Sequence, residues 1–201
     1  MGLRVGVLIS GEGTNLQAIL DTVHRRDGVE VVCVGSSFAG ARGIERAHRA
    51  GVDTAVYARG EHRDRDAALA SWLEEHSVDL VVLAGFMEVL GGAFVRRFEG
   101  RIVNVHPSLL PAFPGIRAIE RALEEGVGEI GVSVHFVDEG VDTGPIILQE
   151  SFDLPPAPEL ARVEQQVHEV EHLLLPRAIR LIAEGAVSID PDDPRRVRLV
   201  R

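Results

Sequence analysis

The chain is poor in cysteine, in positive charge and in long apolar runs, and each shortage narrows what it can be. Its one cysteine, Cys33, lies in the apolar run 29–34, so neither an intramolecular disulfide nor a cysteine-based metal centre is available. A reducing, cytoplasmic setting fits that usage. Lysine plus arginine number 21 against 31 acidic residues, a formal net charge of −10. A surface of that sign repels a phosphodiester backbone, so no nucleic-acid partner is expected. No stretch approaches the roughly 20 apolar residues that span a bilayer, and residues 1–5 lack the basic start of an export signal. No membrane partner is expected either.

What is present is the composition of a folded protein, 45% hydrophobic and 26% charged over 201 residues. That length suits one substantial core, and a single domain over 1–201 is expected. Short β-branched runs at 5–9, 29–34, 53–57, 80–83 and 101–105 alternate with segments of helical spacing at 15–24, 44–50, 64–76 and 93–98. This rhythm predicts an α/β fold, a Rossmann-like and mostly parallel sheet with helices on both faces. Beyond residue 129 two strands, 130–137 and 145–150, are joined by an acidic, glycine-rich loop, and the sheet is expected to become mixed in this C-terminal part. Leu160, Val163, Val167, Val170, Leu174, Ala178 and Leu181 mark one stripe of a long helix in which Pro176 predicts a kink. Two short strands, 186–189 and 197–200, close the chain.

After the first strand comes Ser10-Gly11-Glu12-Gly13-Thr14-Asn15-Leu16-Gln17. A glycine loop entering a helix offers orphan N–H groups and the positive dipole end to an anion, and Thr14 with Gln17 has capping-box spacing. The alternative is a plain strand-to-helix turn. A dinucleotide is disfavoured, because the third glycine is absent and the second strand ends at Val34-Gly35-Ser36-Ser37 without the acid that holds a ribose. A monophosphate fits better.

In Arg101-Ile102-Val103-Asn104-Val105-His106, alternation sends Asn104 and His106 to one face at the C-terminal end of a parallel strand. An amide that can bond an oxyanion beside an imidazole that can move a proton suits acyl transfer, although a structural pair reads the same way. Asp142, in the loop after the sixth strand, can orient His106 and raise its pKa, or merely cap a turn. No serine sits in a nucleophile elbow, and His168 with His172 lacks the metalloprotease pattern, so no metal is expected.

The stretch Asn104-Val105-His106-Pro107-Ser108-Leu109-Leu110-Pro111-Ala112-Phe113-Pro114-Gly115, with Asp142-Thr143-Gly144-Pro145 downstream, resembles the folate-dependent formyltransferase family. The likeness runs from about Val5 to Ala183 and takes in the Ser10–Gln17 loop, Leu83-Ala84-Gly85-Phe86-Met87 and Glu171-His172. It implies transfer of the formyl group of 10-formyltetrahydrofolate to the amine of glycinamide ribonucleotide, a step of purine biosynthesis, with the folate as co-substrate. Asn104, His106 and Asp142 would then be catalytic. The amides of Gly13, Thr14 and Asn15 would hold the substrate phosphate and Glu171 its ribose. Arg63, Met87, Glu88, Val89 and Leu90, with Asn104, would hold the folate. The halves 1–100 and 101–201 would serve phosphate binding and catalysis with folate binding, in a monomer or homodimer. Glu88 stands where some relatives carry arginine, and Arg117-Ala118-Ile119 lacks histidines common there. A hydrolytic relative that passes the formyl group to water is the nearest rival. A tRNA-formylating relative is longer, and a non-catalytic nucleotide-binding module would need no such trio.

Overall fold

Parallel pairing of the first five apolar runs builds the N-terminal part of the chain. In the computed structural model, which describes residues 2–58, 60, 64–193 and 195–199, these runs are β1 (Leu3–Ile9), β2 (Val29–Ser36), β3 (Asp53–Val56), β4 (Leu80–Leu83) and β5 (Ile102–His106). Their order is β3-β2-β1-β4-β5, every pair parallel. The helices between them are α1 (Thr14–Thr22), α2 (Arg42–Arg49), α3 (Arg65–Glu75) and α4 (Gly92–Arg97). A Cβ on Gly6 of β1 would meet Leu73 of α3, whereas Ile9, three residues on, reaches Gly43 of α2. Opposite parity on one strand puts α2 and α3 on opposite faces, as expected. Leu8, Ile9, Leu16, Ile19 and Leu73 are fully buried between them, each stabilising by about 1.5–3 kcal/mol.

The chain winds outward from β1 to β3 and then returns to place β4 on the other side of β1. The carboxyl ends of β1 and β4 therefore flank the switch point where open α/β sheets bind ligands.

By density of internal contacts the chain divides into two compact units, Met1–Asn104 and Val105–Arg201. In the second, β6 (Glu129–Phe136) and β7 (Ile146–Asp153) pair antiparallel, with a register slip between Val134 and His135. This is the expected departure from parallel order. α6 (Leu160–Ala183) packs on both strands and runs unbroken through Pro176. Its buried stripe holds Val163, Val167, Leu174 and Ala178 as read from the spacing, with Glu171, Leu175 and Ile179 added. Leu160, at the first helical position, stays 39% exposed, and Val170 and Leu181 are only half-buried. At 3.6 residues per turn the packed face drifts away from those positions. β8 (Val187–Ile189) and β9 (Val197–Leu199) form a hairpin.

One helix escaped the sequence reading: α5 (Ala118–Glu124). It has only seven residues, and two of its three buried positions, Ala118 and Ala122, are alanines that leave a faint periodic signal. None of the described helices is long and apolar enough to cross a membrane.

Candidate active site

The glycine loop turns into α1 through Gly13, whose φ of 70° is left-handed backbone that glycine adopts without strain. A second constraint acts there. A Cβ on Gly13 would lie 2.5 Å from Cα of Gly43, because the start of α2 packs against the loop and the Gly43 N–H donates to the Gly11 carbonyl at 3.1 Å. Gly13 is thus the helix N-cap, with no side-chain cap. The capping box read from Thr14 and Gln17 does not form: Thr14 is already helical, and the Gln17 amide donates to Asp21 at 2.9 Å while its carbonyl accepts from Arg46 at 3.1 Å. Arg46 also donates to the Glu12 carbonyl at 2.8 Å, so α2 holds the loop from outside. The first-turn N–H groups of Thr14, Asn15 and Leu16 have no carbonyl partner within the helix, and Asn15 is buried.

Ser10 ties this loop to the one after β4. Its N–H donates to the Gly85 carbonyl at 3.1 Å, and its hydroxyl accepts from the Met87 N–H at 2.8 Å. The same hydroxyl lies 2.6 Å from that of Ser37, which directly follows β2, where a dinucleotide fold needs an acid. Met87 and Val89 present 77% and 76% of their surface to solvent, while Glu88 and Leu90 are half-buried. Arg65, at the start of α3, pairs with Glu88 at 3.2 Å and donates to the Val89 carbonyl at 3.3 Å. Its neighbour Asp66 accepts from the Gly91 N–H at 2.7 Å. The segment expected to meet the folate is thereby a fixed ledge with two apolar side chains standing out. Arg63 lies outside the described residues. Arg65, which the sequence did not single out, reaches the ledge with its long side chain.

Asn104 is the last residue of the first unit, half-buried near the end of β5. In the second unit His106 is buried with both ring nitrogens engaged. Nδ1 lies 3.3 Å from Oδ2 of Asp142, and Nε2 is 2.9 Å from the Phe113 carbonyl. Asp142 accepts the Gly115 N–H at 2.7 Å on the same oxygen, and its Oδ1 lies 3.5 Å from Nε2 of His135. The imidazole and carboxylate that the sequence placed together do meet. His135 joins them unforeseen. Its signal was present, a histidine ending a buried strand seven residues before Asp142, but the Phe113 carbonyl and Gly115 N–H are backbone groups that side-chain patterns do not show. Phe113, Arg117 and Asp142 all adopt positive φ, 52°, 57° and 53°. Each holds about 1–3 kcal/mol of backbone strain that its surroundings must offset, a concentration common at working sites. Ser108, Ser133 and Gln149 brace the intervening loop: Ser133 donates to the Ser108 carbonyl at 2.6 Å, and Gln149 to the Leu110 carbonyl at 2.9 Å. Glu171 is buried on α6.

Burial would raise the Asp142 carboxyl, but the hydrogen bonds from His135 and Gly115 and the nearby imidazoles outweigh it and hold the acid at about 2. His106 differs from expectation. Burial pushes its pKa below the usual imidazole value, against the Phe113 carbonyl and the Asp142 charge, which raise it, while His135 and Arg121 push it further down. Asp142 does act in the expected direction. Desolvation of the ring is the larger effect, so the raised pKa expected for His106 is corrected to a lowered one.

An open α/β sheet whose switch point carries a glycine-turned helix start, with a buried imidazole–carboxylate pair in the same chain, has the build of an enzyme that moves a group while managing a proton. Comparison with known proteins gives this class a family. A family profile described as formyl transferase matches residues 3–179, and the chain belongs to that family. It is 40% identical over 190 residues to phosphoribosylglycinamide formyltransferase of Haemophilus influenzae, covering 92% of this chain and 90% of that one. It is 45% identical over 195 residues to the trifunctional purine biosynthetic protein adenosine-3 of Drosophila melanogaster, covering 94% of this chain but spanning only 14% of that protein. The crystal structure of glycinamide ribonucleotide transformylase 1 from Symbiobacterium toebii superposes with a TM-score of 0.94 at 46% identity, covering 100% of this chain and 95% of that one.

Proposed function

We propose that the chain transfers the formyl group of 10-formyltetrahydrofolate to the amine of glycinamide ribonucleotide, yielding formylglycinamide ribonucleotide and tetrahydrofolate in purine biosynthesis. The observation that carries the proposal is the buried His106–Asp142 pair at 3.3 Å in a chain spanning nine-tenths of a relative named for that reaction. The substrate amine attacks the formyl carbon, the carbonyl oxygen becomes an oxyanion, and collapse expels the folate nitrogen, which must gain a proton as the amine loses one. Asn104 donates its amide N–H to the oxyanion. His106 supplies the proton to the leaving nitrogen, with Asp142 stabilising the charged ring. Since Nε2 bonds the Phe113 carbonyl, that nitrogen must exchange the carbonyl for substrate during turnover.

In this reading the amides of Gly13, Thr14 and Asn15 bind the substrate phosphate, and Glu171 the ribose hydroxyls. The exposed Met87 and Val89, with backbone groups of Glu88 and Leu90, bind the pterin, beside Arg63. The whole chain acts as one functional domain, monomeric or homodimeric, in the cytoplasm. Following tetrahydrofolate, formate and formylated amine together while glycinamide ribonucleotide is titrated in tests the reading. Formylated amine should rise in step with tetrahydrofolate. Formate in its place, with the amine unmodified at saturation, replaces the transferase with a hydrolase.

A further inference from the structure

We propose that Arg121 is a positioning residue of the proposed transfer, a role that depends on that reaction only for its kinetic readout. Its guanidinium holds the peptide between Pro114 and Gly115 in the orientation that aims the Gly115 N–H at Asp142, and through that acid it steadies His106.

A continuous line of contacts joins the guanidinium to the imidazole. Nη2 of Arg121 donates to the Pro114 carbonyl. The N–H of the same peptide, on Gly115, donates to Oδ2 of Asp142 at 2.7 Å, and that oxygen lies 3.3 Å from Nδ1 of His106. The peptide thus has a cation at its carbonyl end and a carboxylate at its N–H end, so its dipole lies along the field between them. A charged donor on the carbonyl also polarises the amide and strengthens the bond that its N–H gives. Turned over, the same peptide would point its carbonyl at the acid and its N–H at the guanidinium, repelled at both ends. Burial raises the Asp142 carboxyl, and the Gly115 bond is among the forces that lower it. The guanidinium is also close enough to act on the imidazole: burial lowers His106, and the charge of Arg121 lowers it further.

The backbone here needs such a hold. Phe113 and Gly115 both take left-handed backbone, at φ 52° and 77°, with Pro114 between them. The two common turns built on Pro-Gly differ by a flip of the peptide that joins the pair, and a positive φ at the glycine belongs to only one of them. Glycine itself favours neither sign of φ, so contacts must decide the flip. α5 gives Arg121 a fixed base from which to do so. Ala118, Ile119 and Ala122 of that helix are buried, and its ladder passes through Arg121, whose N–H donates to the Arg117 carbonyl and whose carbonyl accepts from Glu125, both at 3.0 Å. Arg117 engages Glu120 at 3.5 Å and Glu124 at 3.2 Å, whereas Arg121 reaches back seven residues to backbone, with its Nε shut off from solvent.

Two substitutions test the hold. R121M keeps an unbranched side chain but loses donor and charge, and R121K keeps both. In R121M kcat should fall about tenfold or more with both KM values within about twofold, and the Gly115 amide proton should move upfield as its bond to Asp142 loosens. R121K should bring kcat back to within about threefold of the parent and the amide signal with it, because a single bond to a carbonyl asks for a charged donor rather than a fork. Parent-like kcat and signal in R121M overturn the assignment. So do a fall in kcat with the Gly115 signal unmoved, a moved signal with kcat intact, a loss carried by KM, and equal losses in R121M and R121K. Should R121M not fold, the unsubstituted protein decides: Arg121 Nη protons resolved by slowed rotation sustain the assignment, and signals averaged by free rotation overturn it. These resonances need no formyl donor. Release of formate in the transfer assay would therefore sink the proposed reaction and leave the hold on Asp142 standing, with the kcat ratio then read on formate.

Discussion

The balance of forces on two side chains yields measurable signs. Burial lowers the His106 pKa while the Asp142 charge holds it up, so removing that charge in Asp142→Asn should move the His106 midpoint further down. An NMR titration of the ring reads it directly, and a midpoint that rises or stays put contradicts the assignment of forces. Asp142 itself is held at about 2 against an ordinary 3.8. A carboxyl depressed on folding contributes stability that is complete above its unfolded pKa and is lost as pH falls through the folded one. For a side chain only 13% exposed, that contribution is about 2 kcal/mol. Urea unfolding between about pH 5 and pH 2 should show that much extra acid loss in the parent relative to Asp142→Asn. Equal slopes in the two proteins would mean that the acid is not selectively stabilised.

At the scale of elements, the two loop glycines make a contrast that separates folding from binding. A Cβ at Gly11 meets nothing within 4 Å, whereas one at Gly13 meets the Gly43 backbone at left-handed φ. Gly13→Ala should lose about 1–3 kcal/mol of stability in a denaturant melt. Gly11→Ala should melt like the parent yet bind glycinamide ribonucleotide about tenfold more weakly by calorimetry, since the amides need close backbone approach. Unchanged affinity in Gly11→Ala removes that face of the loop from the phosphate cradle. Strands β1, β2, β4 and β5 and helices α1 and α3 could be read from the sequence because each buries a run or stripe whose period is its own signature, as in Leu80–Leu83 and the Asp64-capped α3. α5 could not, because alanines bury little. In the site, Asp142 and His106 were legible as a pair through chemistry and order. The sign of the His106 shift was not, because it depends on how deeply the ring sinks, and neither were the bulge at His135 and the carbonyl of Phe113, which are products of chain geometry.

For the molecule as a whole, the division into units falls inside β5: Asn104 ends one and Val105 opens the other. The backbone is continuous through that strand, and unfolding should be a single transition. The single tryptophan, Trp72, reports the first unit, and α6, with 24 residues, dominates the helical signal of the second. Fluorescence and far-ultraviolet ellipticity should give the same urea midpoint within about 0.2 M, and separated midpoints would show independent units.

The bond between His106 and the Phe113 carbonyl makes the resting site a guarded one. Both His106 ring nitrogens are engaged at rest, and under the proposed reaction Nε2 would be released only when an incoming molecule makes losing the carbonyl worthwhile. A formyl carrier docked alone would, in that reaction, bring no amine to be deprotonated and give the ring little cause to let go. In the proposed reaction the formyl carbon would then be shielded from water by chemical unavailability rather than by a lid, restraining leakage to formate while the carrier waits for its acceptor.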